Sequence, residues 1–404
     1  MGNSDKLDKY IQLLEANKNI ILTGAPGTGK TFLAKAIAER MGAEYEFVQF
    51  HPSYDYTDFV EGLRPTPPDQ NGNIGFERKD GVFKEFCKKA VIRKWNSTYS
   101  NDYKNAIKRF KDGLKINSIK IKSFRSETII HTYIDDKNII CVQNKSGQKS
   151  WSTSDNRLLN YLISKICPPN DTYLKSIGDY ILDNYLQSNI TITPNTNIGN
   201  YIFIIDEINR GEISKIFGEL FFSIDPGYRG EKGLVKTQYQ NLITDESDPF
   251  YEGFYVPENV YIIGTMNDID RSVESMDFAM RRRFAWIEVK ANENTGMLDE
   301  KLSDMKDEII SIMKRLNTAI WDENNNTGIE GLSAAYHIGG SYFSKLSLYL
   351  NKEHTNKQEA YENLWSNHLK GVLFEYLRGT INAMENLKML EQVYFNQDIY
   401  GTEG

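Results

Sequence analysis

Short apolar runs alternate along this chain with longer stretches of helical period. Residues 19–23, 45–50, 201–205 and 259–265 are each suited to a strand, the first and the last two to a buried one. After the first run, Phe32, Leu33, Ala36, Ile37 and Ala38 recur at helical spacing. One short helix, about residues 5–17, precedes that run. From about Asn292 onward the chain is helical, with Ile309, Ile310, Ile312, Met313 and Leu316 on one face. Strands alternating with helices predict an α/β fold with a mostly parallel sheet, followed by an all-helical region. The middle of the chain breaks this rhythm. Residues 118–124, 128–134 and 139–143 read as strands, with Asp135, Asp136, Lys137 and Asn138 as a hairpin turn between the last two. Helical patterns flank them at 83–110, 156–166 and 173–186. The expected organisation is therefore 1–88 and 200–291 as two parts of one core, 89–199 as an inserted α+β subdomain, and 292–404 as a helical lid.

Composition narrows the class. The 404 residues are 40% hydrophobic and 25% charged, which is ordinary for a globular chain. No run of about 18 apolar residues exists to span a membrane, and residues 1–10 lack an apolar signal core. Cys87, Cys141 and Cys167 are scattered, so neither a zinc site nor a disulfide framework is implied, and a cytoplasmic location is expected. The net charge of -7 hides an asymmetry: residues 88–157 carry 16 Lys+Arg against 6 Asp+Glu, a local net of +10 that leaves -17 for the rest.

The candidate chemistry lies at the ends of the apolar runs. Gly24, Ala25, Pro26, Gly27, Thr28, Gly29, Lys30 and Thr31 fit G-x-x-x-x-G-K-[ST], the phosphate-binding loop, with the required strand before and helix after. Its glycines let backbone N–H groups turn toward phosphate oxygens, and the following helix points its positive end at the same anion. Lys30 is expected on the β- and γ-phosphates and Thr31 on Mg²⁺. The run at 201–205 ends in Asp206 and Glu207. A carboxylate pair at the carboxyl end of a strand supplies a second Mg²⁺ contact, Asp206, and a base for the attacking water, Glu207. The run at 259–265 leads to Asn267, an amide placed to sense the γ-phosphate. Arg281, Arg282 and Arg283 end a short helical stretch at 273–280. They either complement its dipole or supply one or two fingers to a neighbouring subunit's γ-phosphate.

With these residues the chain resembles the McrB family, the AAA+ motor subunits of modification-dependent (type IV) restriction systems. The P-loop carries the resemblance together with Asp206-Glu207-Ile208-Asn209-Arg210, Met266-Asn267-x-x-Asp270-Arg271-Ser272 and Asp277 to Phe284. Weaker echoes are His337-Ile338-Gly339-Gly340-Ser341-Tyr342-Phe343 and residues 373–377. The match covers roughly residues 10–90 and 200–380. It implies a P-loop AAA+ module with sheet order 5-1-4-3-2 and an α-helical lid. It further implies that Asn267 and Asp270 position the lytic water and that Arg282 or Arg283 acts in trans. A hexameric ring, GTP in preference to ATP, DNA as the substrate of movement and an McrC-type endonuclease partner also follow from it. Two departures stand out. Asp268 replaces the family's usual Thr, so its carboxylate either alters the Mg²⁺ geometry or points to solvent. The P-loop also begins at residue 24, so recognition of a modified base is expected to come from elsewhere than an N-terminal reader.

Thr31 and Asp206 lie 175 positions apart, about twice the spacing the resemblance implies, which marks the insertion. The insert interleaves its basic residues with Trp95, Tyr99, Tyr103, Phe110, Phe124, Tyr133 and Trp151. Basic groups neutralise phosphates and aromatic faces stack on bases; equally, these aromatics suit a small core under a solvated basic face. The loop at 225–230 is either a pore loop in which Tyr228 and Arg229 grip a strand or a Gly/Pro turn. His51 reads as structural. An ATP-driven remodeller of protein partners and a nucleotide-gated scaffold for a nuclease are the competing functions. If the insert binds DNA, neutralising several lysines between Lys104 and Lys122 weakens binding at low salt; unchanged affinity in a filter-binding titration removes that role.

Overall fold

The structure is a computed structural model and describes residues 3–95, 99–126, 128–144, 146–165, 167, 171–186, 199–246, 248–269, 278–350 and 356–396. Its contacts divide the chain into two units, Met1–Pro52 with Ile204–Arg210 and Ile262–Gly404, and Ser53–Phe203 with Gly211–Tyr261.

The first unit holds most of the nucleotide-fold elements; Tyr201–Phe203 and Val260–Tyr261, the first residues of two of its strands, fall in the second. Helix α1 (Asn3–Asn17) leads into strand β1 (Asn19–Gly24), whose Ile20, Ile21 and Leu22 are fully buried. Helix α2 (Lys30–Arg40) follows, then β2 (Glu44–Gln49), β3 (Tyr201–Asp206), β4 (Val260–Asn267) and β5 (Ala285–Glu288). The sheet order is β5-β1-β4-β3-β2, the order expected from the family resemblance. β1 runs parallel to both β4 and β5. Such strands are buried on both faces, and β3 and β4 accordingly read as near-continuous apolar runs. The α/β fold is thus as the sequence indicates.

The lid region has its own core. On helix α3 (Lys306–Ile320), Ile309, Met313, Leu316 and Ile320 are buried, while Ile310 and Ile312 pack at the margin. Helices Lys357–Leu364, Lys370–Leu377 and Ala383–Phe395 close over them. Leu364, Leu373, Leu377 and Leu390 are all at or below 1% exposure, and each such side chain contributes roughly 1.5–3 kcal/mol.

The second unit contains an antiparallel hairpin, Glu61–Pro65 with Phe76–Asp80, and the insert. Phe59, Phe83, Phe203, Phe217 and Phe254 form an aromatic core in which Phe59 and Phe83 stack at 4.8 Å. The insert is a four-stranded antiparallel sheet, Ile119–Lys122, Ile129–Ile134, Ile140–Gln143 and Lys149–Thr153 in sequential order. Helices Tyr99–Ile116, Asp155–Ser164 and Thr172–Tyr185 share its core. The first three strands are those the sequence predicts. The turn at 135–138 forms as expected, with Asp135 Oδ1 accepting from the N–H groups of Lys137 and Ile139 and with Asn138 at φ 61°. The fourth strand, KSWST, is a short polar segment without clear alternation. The single helical stretch expected at 83–110 is two helices, Val82–Trp95 and one starting at Tyr99.

Packing resolves most of the insert's aromatics. Phe110 is fully buried, and Tyr103 and Trp151 pack against the core, Trp151 donating Nε1–H to Asp171 Oδ2 (3.3 Å). Tyr133 is half-buried. Phe124 is 57% exposed, with the Lys175 ammonium 3.7 Å from its ring centre. The side chains of Trp95 and Tyr99 lie outside the described residues. None of the three cysteines forms a disulfide. No helix among the described residues is long and apolar enough to cross a membrane.

A buried ion cluster fixes the hairpin to the following helix. Glu61 and Lys84 are both fully buried and 2.6 Å apart; Arg78 reaches Glu61 at 3.0 Å and also pairs with Asp80. The Tyr239 N–H donates to the other Glu61 oxygen (2.7 Å). Burial pushes the Glu61 carboxyl up, but the Lys84 ammonium and the hydrogen bonds from Thr237 and the Tyr239 N–H together outweigh this and hold the carboxyl below the usual range. Its depressed pKa adds stability above the unfolded-state value, about 4.3, that is lost as pH falls through the folded value. Lys84→Met is expected to destabilise the protein by about 3 kcal/mol at neutral pH because it removes the fully buried partner of Glu61 and leaves that carboxylate only Arg78, which Asp80 shares. The deficit shrinks in acid, because without the Lys84 ammonium the variant's buried carboxylate takes up its proton at a higher pH than the wild type's. Denaturant midpoints at pH 7 and pH 4 check this; a deficit independent of pH refutes it.

Candidate nucleotide site

The P-loop leaves β1 at Gly24 and enters α2 at Lys30. Gly29, the helix N-cap, sits at φ 81°, a conformation that side chains rarely adopt, and a Cβ there would also press on Asn294 Nδ2. The loop is held from outside. Asn294 Nδ2 donates to Thr28 O (2.8 Å) and Gly29 O (3.2 Å). The Ser341 N–H donates to Gly27 O (3.0 Å), and its hydroxyl donates to the same oxygen. The Gly339 N–H donates to Pro26 O (3.3 Å), and a Cβ at Gly339 would collide with the Gly27 carbonyl. Lys30 is buried, with Nζ donating to Gly24 O (3.0 Å) and Ala25 O (2.9 Å).

The acidic pair meets this loop. Thr31 Oγ1 donates to Asp206 Oδ1 (2.8 Å), and Thr265 Oγ1 donates to the same oxygen (2.6 Å). A hydroxyl beside a carboxylate is a hard oxygen donor set of the kind Mg²⁺ takes, so Thr31 and Asp206 fit the metal assigned to them from sequence. Among the described residues no cluster of three His, Cys, Asp or Glu offers another metal site. Next in the chain, Glu207 has φ 52°, left-handed backbone that is rare for a non-glycine residue and clusters at functional sites. Its N–H donates to Thr265 Oγ1 (3.2 Å). Asn267 Nδ2 donates to Glu207 Oε1 (2.7 Å), and Arg210 Nε lies 3.3 Å from Oε2. The carboxylate is thereby aimed by an amide on one oxygen and a guanidinium on the other.

The structure brings Gly24 through Thr31, Asp206, Glu207 and Asn267 into one cluster. Asp270 lies outside the described residues. Asp268 is exposed, its N–H donating to Gly24 O (3.3 Å), with Lys30 and Glu288 as its charged neighbours. The arginines separate. Arg283 is buried, donates Nη1–H to Ala279 O (2.6 Å), and is tied to β1 through Asn19 Nδ2, which donates to the Arg283 carbonyl (2.9 Å). Arg281 lies over the Trp286 ring at 5.1 Å. Arg282 is exposed. In the second unit, the loop at 225–230 also divides its two candidates. Tyr228 is 43% exposed and lies 4.2 Å from the Phe222 ring, whereas Arg229 is buried, which lowers its pKa to about 10. Arg229 therefore does not present its charge to a strand as a pore-loop grip requires. His51 is exposed.

Sequence reading did not assign Thr265, Arg210, Asn294, Gly339 or Ser341. Thr265 stood two positions before the sensor amide, and Arg210 stood inside the string after Glu207. The lid glycines stand only in a weak echo of the family pattern.

The profile of the AAA domain (dynein-related subfamily) matches residues 19–97 and 184–284, which include the P-loop, Asp206, Glu207, Arg210, Thr265 and Asn267 but not Asn294, Gly339 or Ser341. Over 345 residues the chain is 29% identical to the "Type IV methyl-directed restriction enzyme EcoKMcrB subunit" of Escherichia coli (strain K12), covering 83% of this chain and 50% of that protein. The chain is an AAA+ protein of the McrB type. A second relative is the "Type II restriction enzyme BsuMI component YdiS" of Bacillus subtilis (strain 168), 22% identical over 292 residues, covering 69% of this chain and 59% of that one. The chain thus spans about half the length of the curated relatives it matches. For an McrB-type AAA+ site, the strap formed by Asn294, Gly339 and Ser341 makes the shape of the phosphate loop depend on the lid.

Glu207→Gln is expected to lower nucleotide turnover by about 10²–10⁴-fold while leaving nucleotide binding intact. Gly339→Ala is expected to weaken binding itself, because the added methyl displaces the Gly27 backbone. Equilibrium binding and single-turnover hydrolysis separate the two; equal loss of binding in both variants contradicts the assignment.

Proposed function

We propose that this chain is the GTP-hydrolysing, Mg²⁺-dependent ring subunit of a DNA-restriction complex, and that a separate McrC-type endonuclease supplies cleavage. The observation that carries the reading is the junction of Thr31, Asp206 and Thr265 beside Glu207, Asn267 and Arg210, in a chain related to two restriction subunits.

The chemistry follows from the geometry. Lys30 donates to two neutral carbonyls, and a phosphate oxygen is the stronger, charge-assisted acceptor for the same ammonium. Glu207 takes the proton of the attacking water, while Asn267 holds that carboxylate in line. Thr31 and Asp206 would hold Mg²⁺, which when bound would supply positive charge against the phosphates. Asp270 remains a proposed water-positioning residue on the family pattern. Of the two candidate fingers, Arg282 is favoured because it is exposed, whereas the Arg283 guanidinium is engaged inside its own subunit. A finger acting in trans requires a ring or at least a dimer, and a hexameric ring is proposed on the family pattern. DNA contact is assigned to the insert, whose Lys104, Lys108, Arg109 and Lys120 are exposed. The dynein-related profile supports a second reading, ATP-driven remodelling of a protein partner.

Side-by-side hydrolysis of GTP and ATP, with and without DNA, decides between them. GTP turnover raised by DNA is expected; ATP turnover indifferent to DNA sinks the restriction reading and favours remodelling. Arg282→Ala is expected to lose about 10³-fold or more in turnover. Mixing Arg282→Ala with Glu207→Gln restores activity, because one subunit keeps its base and the other lends its arginine. Two inactive variants that stay inactive when mixed exclude action in trans.

A further inference from the structure

A second cavity in the first unit adjoins the phosphate loop. It measures about 130 Å³, room for a base rather than a whole nucleotide, and lies between α1, the start of α2 and the segment after β5. Phe32, Leu33 and Ala36 line it from α2, and Leu7 and Tyr10 from α1. Asn294 belongs to both places: it lines this cavity and donates to Thr28 O and Gly29 O. A nucleotide with its phosphates on the P-loop therefore has an apolar slot for its base within reach, walled by Phe32, which is 43% exposed. The charged groups on the wall are an ion pair, the Lys6 ammonium with a Glu293 carboxylate oxygen, and Lys290, whose charge is turned to Glu323 at 2.8 Å; the Tyr10 hydroxyl neighbours Lys6, and the Asn294 amide is turned to the P-loop carbonyls.

We propose that Glu293 and Lys6 read the edge of a guanine base in this cavity. The inference rests on the GTPase reading above and names the residues that set its base preference. Guanine presents two adjacent donors, N1–H and the 2-amino group, beside one acceptor, O6. A carboxylate accepts from both donors, and the neighbouring ammonium donates to O6. Adenine has no 2-amino group and presents N1 as an acceptor, so both of the carboxylate's bonds are lost, and its 6-amino donor faces the ammonium where guanine offers O6. A missing partner leaves a polar group of the site unsatisfied, which is the stronger basis of discrimination. Glu293 and Lys6 are specificity-determining residues here; the chemistry at the γ-phosphate stays with Glu207.

The test is equilibrium binding of Mg²⁺ complexes of fluorescent GTP, ATP, ITP and XTP to the full chain. The wild type is expected to bind ITP, which lacks the 2-amino group, about tenfold more weakly than GTP. In Glu293→Gln the amide accepts from N1–H and donates to the 2-oxo group of xanthine, so preference moves from GTP to XTP. Ratios taken within one preparation remain informative even if the variant folds poorly, and the GTP-to-ITP ratio needs no variant. A wild type that prefers GTP over ATP but binds ITP equally, with Glu293→Gln leaving the GTP-to-XTP ratio unchanged, overturns this assignment and leaves the GTPase reading standing. A wild type that prefers ATP overturns the guanine preference itself.

Discussion

The parallel register of β1 against β4 is the constraint on which the site depends. It sets Thr23 opposite Met266 and Gly24 opposite Asn267, so that the first residue of the phosphate loop and the sensor amide share one level of the sheet. β3 lies on the other side of β4 and ends at Asp206. Three strands that stop together give three loops that start together, and ligand sites of open α/β sheets form there. A slip of one residue between β4 and β3 would turn Thr265 away from Asp206. The Thr265 hydroxyl donates to Asp206 and accepts from the Glu207 N–H, so it couples the metal carboxylate to the residue that carries the base. The hydrophobic runs that build the sheet therefore also determine where the chemistry stands.

This explains which parts were legible from sequence. P-loop, acidic pair and sensor each consist of an apolar run followed at once by its polar groups, so element and function are read in one stroke. Thr265 was not, because a threonine within a strand is indistinguishable from any β-branched strand residue until its neighbour is known. Arg282 and Arg283 are identical in sequence and opposite in structure, since only burial distinguishes them. The insert's aromatics show the same limit. Their spacing fits stacking on bases and fits a core equally, and packing assigned Phe110 to the core and left Phe124 outside. Glu61 and Lys84 stand 23 positions apart, and no local pattern marks them as a buried pair.

The lid strap involves a different physical cause. His337 to Phe343 follows no helical or strand period that would attract attention. Its meaning lies in the main chain: Gly339 has no Cβ because the Gly27 carbonyl occupies that space. Two glycine-containing segments brought this close allow hydrogen bonds from the Gly339 and Ser341 N–H groups to the P-loop carbonyls. Those bonds direct the carbonyls outward and leave the loop's N–H groups turned toward an anion. A closely approaching backbone is a stiffer support than a long side chain would be, because it has no rotamers to lose.

The left-handed backbone of Glu207 fits the same logic of support. Such a conformation costs on the order of 1–3 kcal/mol and persists only where surrounding contacts over-determine it. Here those contacts are identifiable: the N–H is held by Thr265, one carboxylate oxygen by Asn267, and the other faces Arg210. Each partner is also tied to a further functional element, Thr265 to Asp206 and Asn267 to the end of β4. Relaxing Glu207 to an ordinary φ would swing its carboxylate off Asn267 and break the bond to Thr265. The Glu207 carboxylate is therefore held in place by groups that themselves bond to Asp206 or end β4, so a change at either is transmitted to its position.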